Sequence, residues 1–154
     1  MTKVLMVCLG NICRSPLAEG ILQSKTNAAT VYVDSAGTAG FHVGNRPDQR
    51  SIAVAKKYGI DISTQTCRKF SSADLEVFDL IYVMDENNYA NVIVKTSNDS
   101  QKDKVKLLLS EINGELKEVP DPYYGGSDGF ENVFRLIEEA CNTIAEKLNG
   151  NANN

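Results

Sequence analysis

Short runs of apolar residues alternate along the chain with stretches in which apolar positions recur every three or four residues. Val4 to Val7 precedes a helical pattern over Leu17 to Leu22, and Val31 to Val33 precedes one over Ser51 to Tyr58. Leu80 to Met84 is followed by Glu86 to Val94, and Val105 to Leu109 by a closing helix. The short runs are rich in β-branched side chains and are apolar nearly throughout, which predicts strands covered on both faces. Strands of that kind separated by helices build a parallel sheet with helices on each side. The expected fold is α/β: a single-domain three-layer sandwich with a central four-stranded parallel sheet and helices on both faces. In the last helix Val133, Leu136, Ile137, Ala140, Cys141, Ile144 and Leu148 form one apolar stripe, which assigns Cys141 to the core.

Local punctuation agrees with these elements. Pro16 and Pro47 suit first-turn helix positions, Ser71-Ser72 with Asp74 close behind reads as a helix start, and Gly59 after Tyr58 reads as a C-terminal cap. Residues 1–150 are expected to form the domain. The stretch Asn149 to Asn154 has nothing to bury, so it is expected to fray, with residues 151–154 as a disordered tail. Two glycine-containing loops, Ser35 to Asn45 and Pro120 to Gly129, adjoin strand-like or helical segments and can share one rim of the sheet.

Composition narrows the function. A chain of 154 residues with 42% hydrophobic side chains can bury a real core. Lys and Arg number 16 against 20 Asp and Glu, a net charge of −4, which argues against nucleic acid or a membrane surface as partner. No apolar run approaches the roughly 20 residues of a membrane helix, and no signal segment is visible, so a cytoplasmic protein is expected. In that compartment Cys8, Cys13, Cys67 and Cys141 are expected as thiols. No paired C-x-x-C unit occurs and His42 is the sole histidine, so neither a metal nor another cofactor is expected.

The chemistry concentrates in Val7 to Pro16, V-C-L-G-N-I-C-R-S-P. If Val4 to Val7 is the first strand and Pro16 opens a helix, Cys8 to Arg14 is the first strand-to-helix turn, where open α/β sheets bind ligands. Successive backbone N–H groups in such a turn can converge on an anion, helped by the positive end of the helix dipole. The groups expected to hold a phosphate are those of Leu9, Gly10, Asn11, Ile12, Cys13, Arg14 and Ser15. Gly10 permits close approach and Asn11 tolerates the left-handed conformation. In that setting a thiol pKa falls from about 8.5 into the range of roughly 3.5–7.5, which makes Cys8 a nucleophile at neutral pH. Arg14 supplies a planar fork for two oxygens of a tetrahedral dianion.

This loop resembles the active-site loop of the low-molecular-weight protein tyrosine phosphatases. The resemblance extends to V-D-S-A-G-T at Val33 to Thr38, F-D-L-I-Y-V-M-D at Phe78 to Asp85 and P-D-P-Y at Pro120 to Tyr123. It implies a hydrolase acting on phosphotyrosine in proteins and on small aryl phosphates through a phosphocysteine intermediate. Cys8 would accept the phosphoryl group, Arg14 bind it, and Ser15 assist the thiolate. Asn11 and Ser35 would form the pair that holds the loop in shape. The implied partners are a phosphotyrosine-containing protein or peptide, and inorganic phosphate or a similar oxyanion as product or inhibitor.

Expelling an aryl oxygen is easier with a proton donor nearby. Asp121 sits between Pro120 and Pro122, which stiffen its backbone; D-P also occurs in ordinary turns, but the resemblance makes Asp121 the general acid and later base. A protonated Asp121 and an ionised Cys8 together predict a bell-shaped rate–pH profile with an acidic optimum. Phe41, Tyr123 and Tyr124 are expected to rim the pocket and favour a long, flat phosphoaryl group. Cys13 is expected either to pack beneath the loop or, as the resemblance implies, to capture oxidised Cys8 as a reversible disulfide. Cys67 is expected to be incidental, and His42 receives no role.

Other readings differ in particular residues. An arsenate reductase of similar fold needs further cysteines near Leu80 to Ala90, where there are none. Protein-arginine phosphatases carry Thr at the position of Ile12. A cysteine phosphocarrier would have little use for Asp121.

Overall fold

The computed structural model describes residues 1–123 and 127–152. Its elements are β1 (Thr2–Cys8), α1 (Arg14–Lys25), β2 (Val31–Gly37), α2 (Gln49–Lys57), α3 (Asp74–Val77), β3 (Leu80–Val83), α4 (Glu86–Ile93), α5 (Asp99–Asp103), β4 (Val105–Leu107) and α6 (Ser127–Ala152). The four strands form one parallel sheet in the order β2-β1-β3-β4.

The continuous apolar strand β1 has the two-sided cover that its sequence predicts. Val4, Met6 and Cys8 join a cluster that includes Leu17 and Ile21 of α1 and Phe134 and Ile137 of α6. Leu5 and Val7 point the other way, into a cluster with Leu75 of α3, Val92 of α4 and Phe78. This alternation is the two-residue period of a strand whose both faces are buried. Cys141 lies in the first cluster, fully buried.

Several boundaries differ from the sequence expectation. Pro47 stands before α2 and outside its first turn, because Asp48 is the N-cap and accepts from the Arg50 amide at 2.8 Å. The last apolar strand gives way after Leu107 to a 3-10 turn over Leu108–Glu111. The short α5 has no apolar period to announce it; its start is the Asn98 cap, whose side chain accepts from Gln101 N at 2.8 Å. Gly59 has φ 80° directly after the C-cap Tyr58, as the cap reading requires. The closing helix continues through Ala152, past the boundary expected at residue 150, and residues 153–154 lie outside the described residues.

The strand order fixes where a site can form. The chain leaves β1 toward β2 on one side, then crosses β1 to reach β3 and β4 on the other. The C-terminal ends of β1 and β3 therefore flank a crevice between connections that diverge.

Candidate active site

The turn after β1 is held from outside by its carbonyl groups. Thr38 N donates to Cys8 O and Ala39 N to Leu9 O, both at 2.9 Å. Cys67 Sγ donates to Asn11 O at 2.8 Å, Asp48 N to Ile12 O at 2.8 Å, and Leu17 N to Cys13 O at 3.4 Å. Across a trans peptide the C=O and the following N–H point in opposite directions. With these five carbonyls bound outward, the N–H groups of Leu9, Gly10, Ile12, Cys13 and Arg14 turn inward, an arrangement that suits an anion.

Two residues let the turn close this tightly. Asn11 has φ 57°, in the left-handed region. Gly37, at the end of β2, lies so near the turn that a Cβ there would stand 2.7 Å from Leu9 O. Side chains lock the result. Asn11 Nδ2 donates to Ser15 Oγ at 2.8 Å and to Ser35 Oγ at 2.9 Å, while Asn11 Oδ1 accepts from Arg68 N at 2.9 Å. Ser15 Oγ lies 3.0 Å from Cys8 Sγ.

Arg14 opens α1 and is buried beside the turn. Its Nη1 donates to Asp85 Oδ2 at 2.8 Å and to Val119 O at 2.9 Å, and its Nη2 lies 3.7 Å from Asp121 Oδ2. Burial alone would weaken the guanidinium's hold on its proton, but the charges of Cys8 and Asp85 and the bond to Asp85 more than offset this and keep it cationic. Asp85 serves twice: its Oδ1 caps α4 by accepting from Asn88 N at 2.8 Å, and its Oδ2 aims Arg14.

A cavity of about 310 Å³ opens over the turn. Cys8, Leu9, Gly10, Ile12, Cys13 and Arg14 form its floor and walls, and Phe41, His42, Asp121 and Tyr123 its mouth. Asp121 Oδ1 accepts from Tyr123 N at 3.0 Å, a short turn that ties the carboxyl to the rim. Tyr123 is backed by the Arg50 guanidinium, 5.4 Å from its ring centroid, which also lies 4.6 Å from that of Phe130. Nε and Nη2 of Arg50 are held by the Asp48 carboxylate at 3.1 and 3.0 Å.

Cys8, Arg14, Asp121 and the turn between Leu9 and Ser15 thus meet in one place, with Ser35 behind the turn and Phe41 and Tyr123 in front. Tyr124 lies outside the described residues. Cys13 occupies the N-cap position of α1 without a side-chain capping bond and lines the cavity, and burial, with the nearby charges of Asp48 and Cys8, pushes its thiol up to about 12. Cys67, expected to be incidental, is buried against the turn and donates to it; burial pushes its thiol up to about 11. Asp85 received no role in the sequence reading, although a carboxylate directly after a strand at this rim was the available signal. His42 was also left without one, yet it lines the cavity and its ring packs over Gly10. Among the described residues no cluster of three or more His, Cys, Asp or Glu side chains could hold a metal ion. Nor is any helix among them long and apolar enough to cross a membrane.

Residues 3–154 match the family model for low molecular weight phosphotyrosine protein phosphatase. The chain belongs to that family. A low molecular weight phosphotyrosine protein phosphatase of Schizosaccharomyces pombe is 44% identical over 154 residues, covering 94% of this chain and 97% of the relative. The protein tyrosine phosphatase of Entamoeba histolytica, solved with Hepes in its active site, superposes with a TM-score of 0.91 at 35% identity over 99% of both chains. The tyrosine phosphatase Wzb from Escherichia coli K30, solved in complex with sulphate, gives a TM-score of 0.83 at 32% identity, over 95% of this chain and 97% of that one. The family resemblance read from the turn after β1 thus extends over the whole phosphatase fold.

Proposed function

We propose that the protein hydrolyses phosphotyrosine in proteins or peptides through a phosphocysteine at Cys8. The observation that carries this reading is the turn after β1: five outward-bound carbonyls leave five amides and the Arg14 fork facing the cavity in which the Cys8 sulfur lies. A phosphoryl group seated there has its equatorial oxygens on amides and guanidinium, with the sulfur in line with the aryl oxygen.

In the first step Cys8 Sγ bonds to phosphorus, the bond from phosphorus to the aryl oxygen breaks, and protonated Asp121 gives its proton to the departing oxygen. In the second, Asp121 takes a proton from water as the water oxygen bonds to phosphorus, the sulfur–phosphorus bond breaks, and inorganic phosphate leaves. Arg14 holds the transferring group throughout, aimed by Asp85. Ser15 donates to the sulfur whenever it carries charge. The oxyanions bound by the Entamoeba and Escherichia relatives, Hepes and sulphate, support the same use of this cradle.

The aromatic mouth supports a substrate long and flat enough to reach the floor, which favours phosphotyrosine over phosphoserine. The apolar Ile12 in the wall supports phosphotyrosine over phosphoarginine. The four free thiols suit a reducing compartment such as the cytoplasm. Cys13, which lines the same cavity as Cys8, suits a reversible disulfide that would protect an oxidised nucleophile.

The test is Cys8→Ser beside Asp121→Asn, assayed on phosphotyrosine, phosphoserine and phosphoarginine peptides. Cys8→Ser should lose turnover yet still be stabilised against heat by inorganic phosphate. Asp121→Asn should slow release of the phenol by roughly 10²–10⁴-fold. Turnover by Cys8→Ser at the wild-type rate would exclude the mechanism, and a preference for phosphoarginine would move the substrate class.

A further inference from the structure

Two charged residues support the cavity without lining it. Asp48 is the N-cap of α2 and Arg50 stands in its first turn, and neither has a part in the steps above. Asp48 meets the cradle through its backbone: its N–H donates to Ile12 O at 2.8 Å, and Ile12 lies in the cavity wall. Its carboxylate meets Arg50 three times, accepting from the backbone N at 2.8 Å, from Nε at 3.1 Å and from Nη2 at 3.0 Å. Arg50 in turn reaches the mouth. Its guanidinium carbon lies over the Tyr123 ring at 5.4 Å and over the Phe130 ring at 4.6 Å.

Burial separates the anchor from the part it holds. Phe130 of α6 is 2% exposed and belongs to the apolar cluster that also contains Leu17 and Phe134. Tyr123 is 39% exposed, as a ring that meets a substrate must be. The Asp48 side chain is 12% exposed and that of Arg50 45%. A carboxylate that grips Nε and Nη2 together fixes the plane of the guanidinium as well as its position. A plane fixed in that way, and seated on a core ring, gives the Tyr123 ring one favoured place, because a cation attracts a ring only while it stays close over the face. A lysine would supply the charge but neither the fork nor the plane.

We propose that Arg50 is a specificity-determining positioning residue: held by Asp48 and seated on Phe130, it keeps the Tyr123 ring in place as a wall of the mouth and so favours phosphates that carry an aryl group. The role rests on the cavity being the phosphate site proposed above. A wall already in place spares a bound aryl group the cost of ordering it. Inorganic phosphate, seated among the amides and Arg14 on the floor, has no ring to meet that wall. Because Asp48 N is bonded to Ile12 O, the wall is tied to the same turn that holds the phosphate.

The test compares the dissociation constants of inorganic phosphate and benzylphosphonate, which carries a ring on a similar tetrahedral anion. Both are measured by nuclear magnetic resonance titration in wild type, Arg50→Gln, Arg50→Lys, Tyr123→Leu and the Arg50→Gln, Tyr123→Leu double variant. Arg50→Gln should lower the preference for benzylphosphonate over phosphate by roughly two- to fivefold, the scale of one exposed cation–π contact, while phosphate binds as in wild type. Arg50→Lys should lose about as much although it keeps the charge. On the Tyr123→Leu background the further change Arg50→Gln should cost nothing, because the wall through which it acts is gone. A folded Arg50→Gln or Arg50→Lys protein with the wild-type preference would overturn the proposal. So would an equal loss for both ligands, which marks a merely structural role, or the same loss repeated in the double variant. Should Arg50→Gln fail to fold, Arg50→Lys decides alone. Wild type that binds neither anion would overturn the phosphate site and this role with it. No turnover is measured, so the result is separate from hydrolysis, which the Cys8→Ser assay reports.

Discussion

Replacing Glu19 by Gln should change how stability depends on pH, and the structure gives the size of the effect. Burial raises the Glu19 carboxyl from an ordinary 4.5 to about 7 in the folded protein. Between those values the unfolded chain has released this proton while the folded protein still holds it, so the folded state binds more protons and stability falls as pH rises. The contribution of Glu19 is full below about 4.5 and lost as pH climbs through about 7. At about 1.4 kcal/mol per pH unit the window is worth about 3 kcal/mol. Gln cannot titrate, so wild type should lose that much relative to Glu19→Gln between pH 4 and 8, whatever offset separates the two at any single pH. For a chain of this length the gap in melting temperature should change by roughly 6–12 °C. Denaturant titrations of both proteins across the range, supported by calorimetry, measure it directly. Parallel stability curves would refute the reasoning, because they would mean that Glu19 ionises alike in the folded and unfolded states and that burial against Ser35 costs its charge nothing.

Two further substitutions probe the cradle itself. Asp85→Ala leaves the Arg14 guanidinium with Val119 O but without the carboxylate at 2.8 Å that aims it, and should lower kcat/KM on an aryl phosphate by about 10²-fold with the fold retained by circular dichroism; a change within twofold would exclude the positioning role. Cys13→Ala should keep its turnover but, after a peroxide pulse, should recover far less activity with dithiothreitol than wild type does; equal recovery would remove Cys13 from any protective role.

The fold was legible because its signals are local. The apolar strands, the helical stripe ending in Leu148 and the glycine at position 59 each declare themselves within one element. The turn after β1 was legible for the same reason: Cys8, Asn11, Arg14 and Ser15 are close neighbours in sequence, and their types together prescribe an anion cradle. What escaped the sequence is what only register brings near. Asp85 is 71 positions from Arg14, and Val119 is 105 positions away and contributes only a carbonyl, which no residue type announces. Glu19 reads as an ordinary helix carboxylate until β2 sets Ser35 against it. Cys67 reads as a lone thiol until the chain returns and sets its sulfur on Asn11 O. Polar α5 was missed because the pattern that marks amphipathic helices is absent from a five-residue helix defined by its cap.

Depth alone does not separate the four cysteines, since Cys8, Cys13, Cys67 and Cys141 are exposed by only 3%, 4%, 3% and 0%. Burial leads the causes that raise the thiols of Cys13, Cys67 and Cys141, and what each sulfur faces adds to it. Cys67 points its own S–H at the Asn11 carbonyl, and Cys141 points toward Ala18 O at 3.9 Å, arrangements that require the proton to stay. Burial, helped by the like charges of Asp48 and Cys8, holds the Cys13 thiol up at about 12, and burial does the same for Cys141. Among these four, Cys8 faces a hydroxyl whose lone pair is already occupied by Asn11 and shares its surroundings with the cationic Arg14. The contrast that remains is one of hydrogen-bond direction: Cys67 and Cys141 give their protons to carbonyls, whereas Cys8 faces a hydroxyl able to donate to it. The direction at Ser15 is set by Asn11, itself held by Arg68 N, so substitutions at Asn11 and Ser15 should move the reactivity of Cys8 more than substitutions that merely deepen or open the cavity around it, as thiol alkylation rates would show.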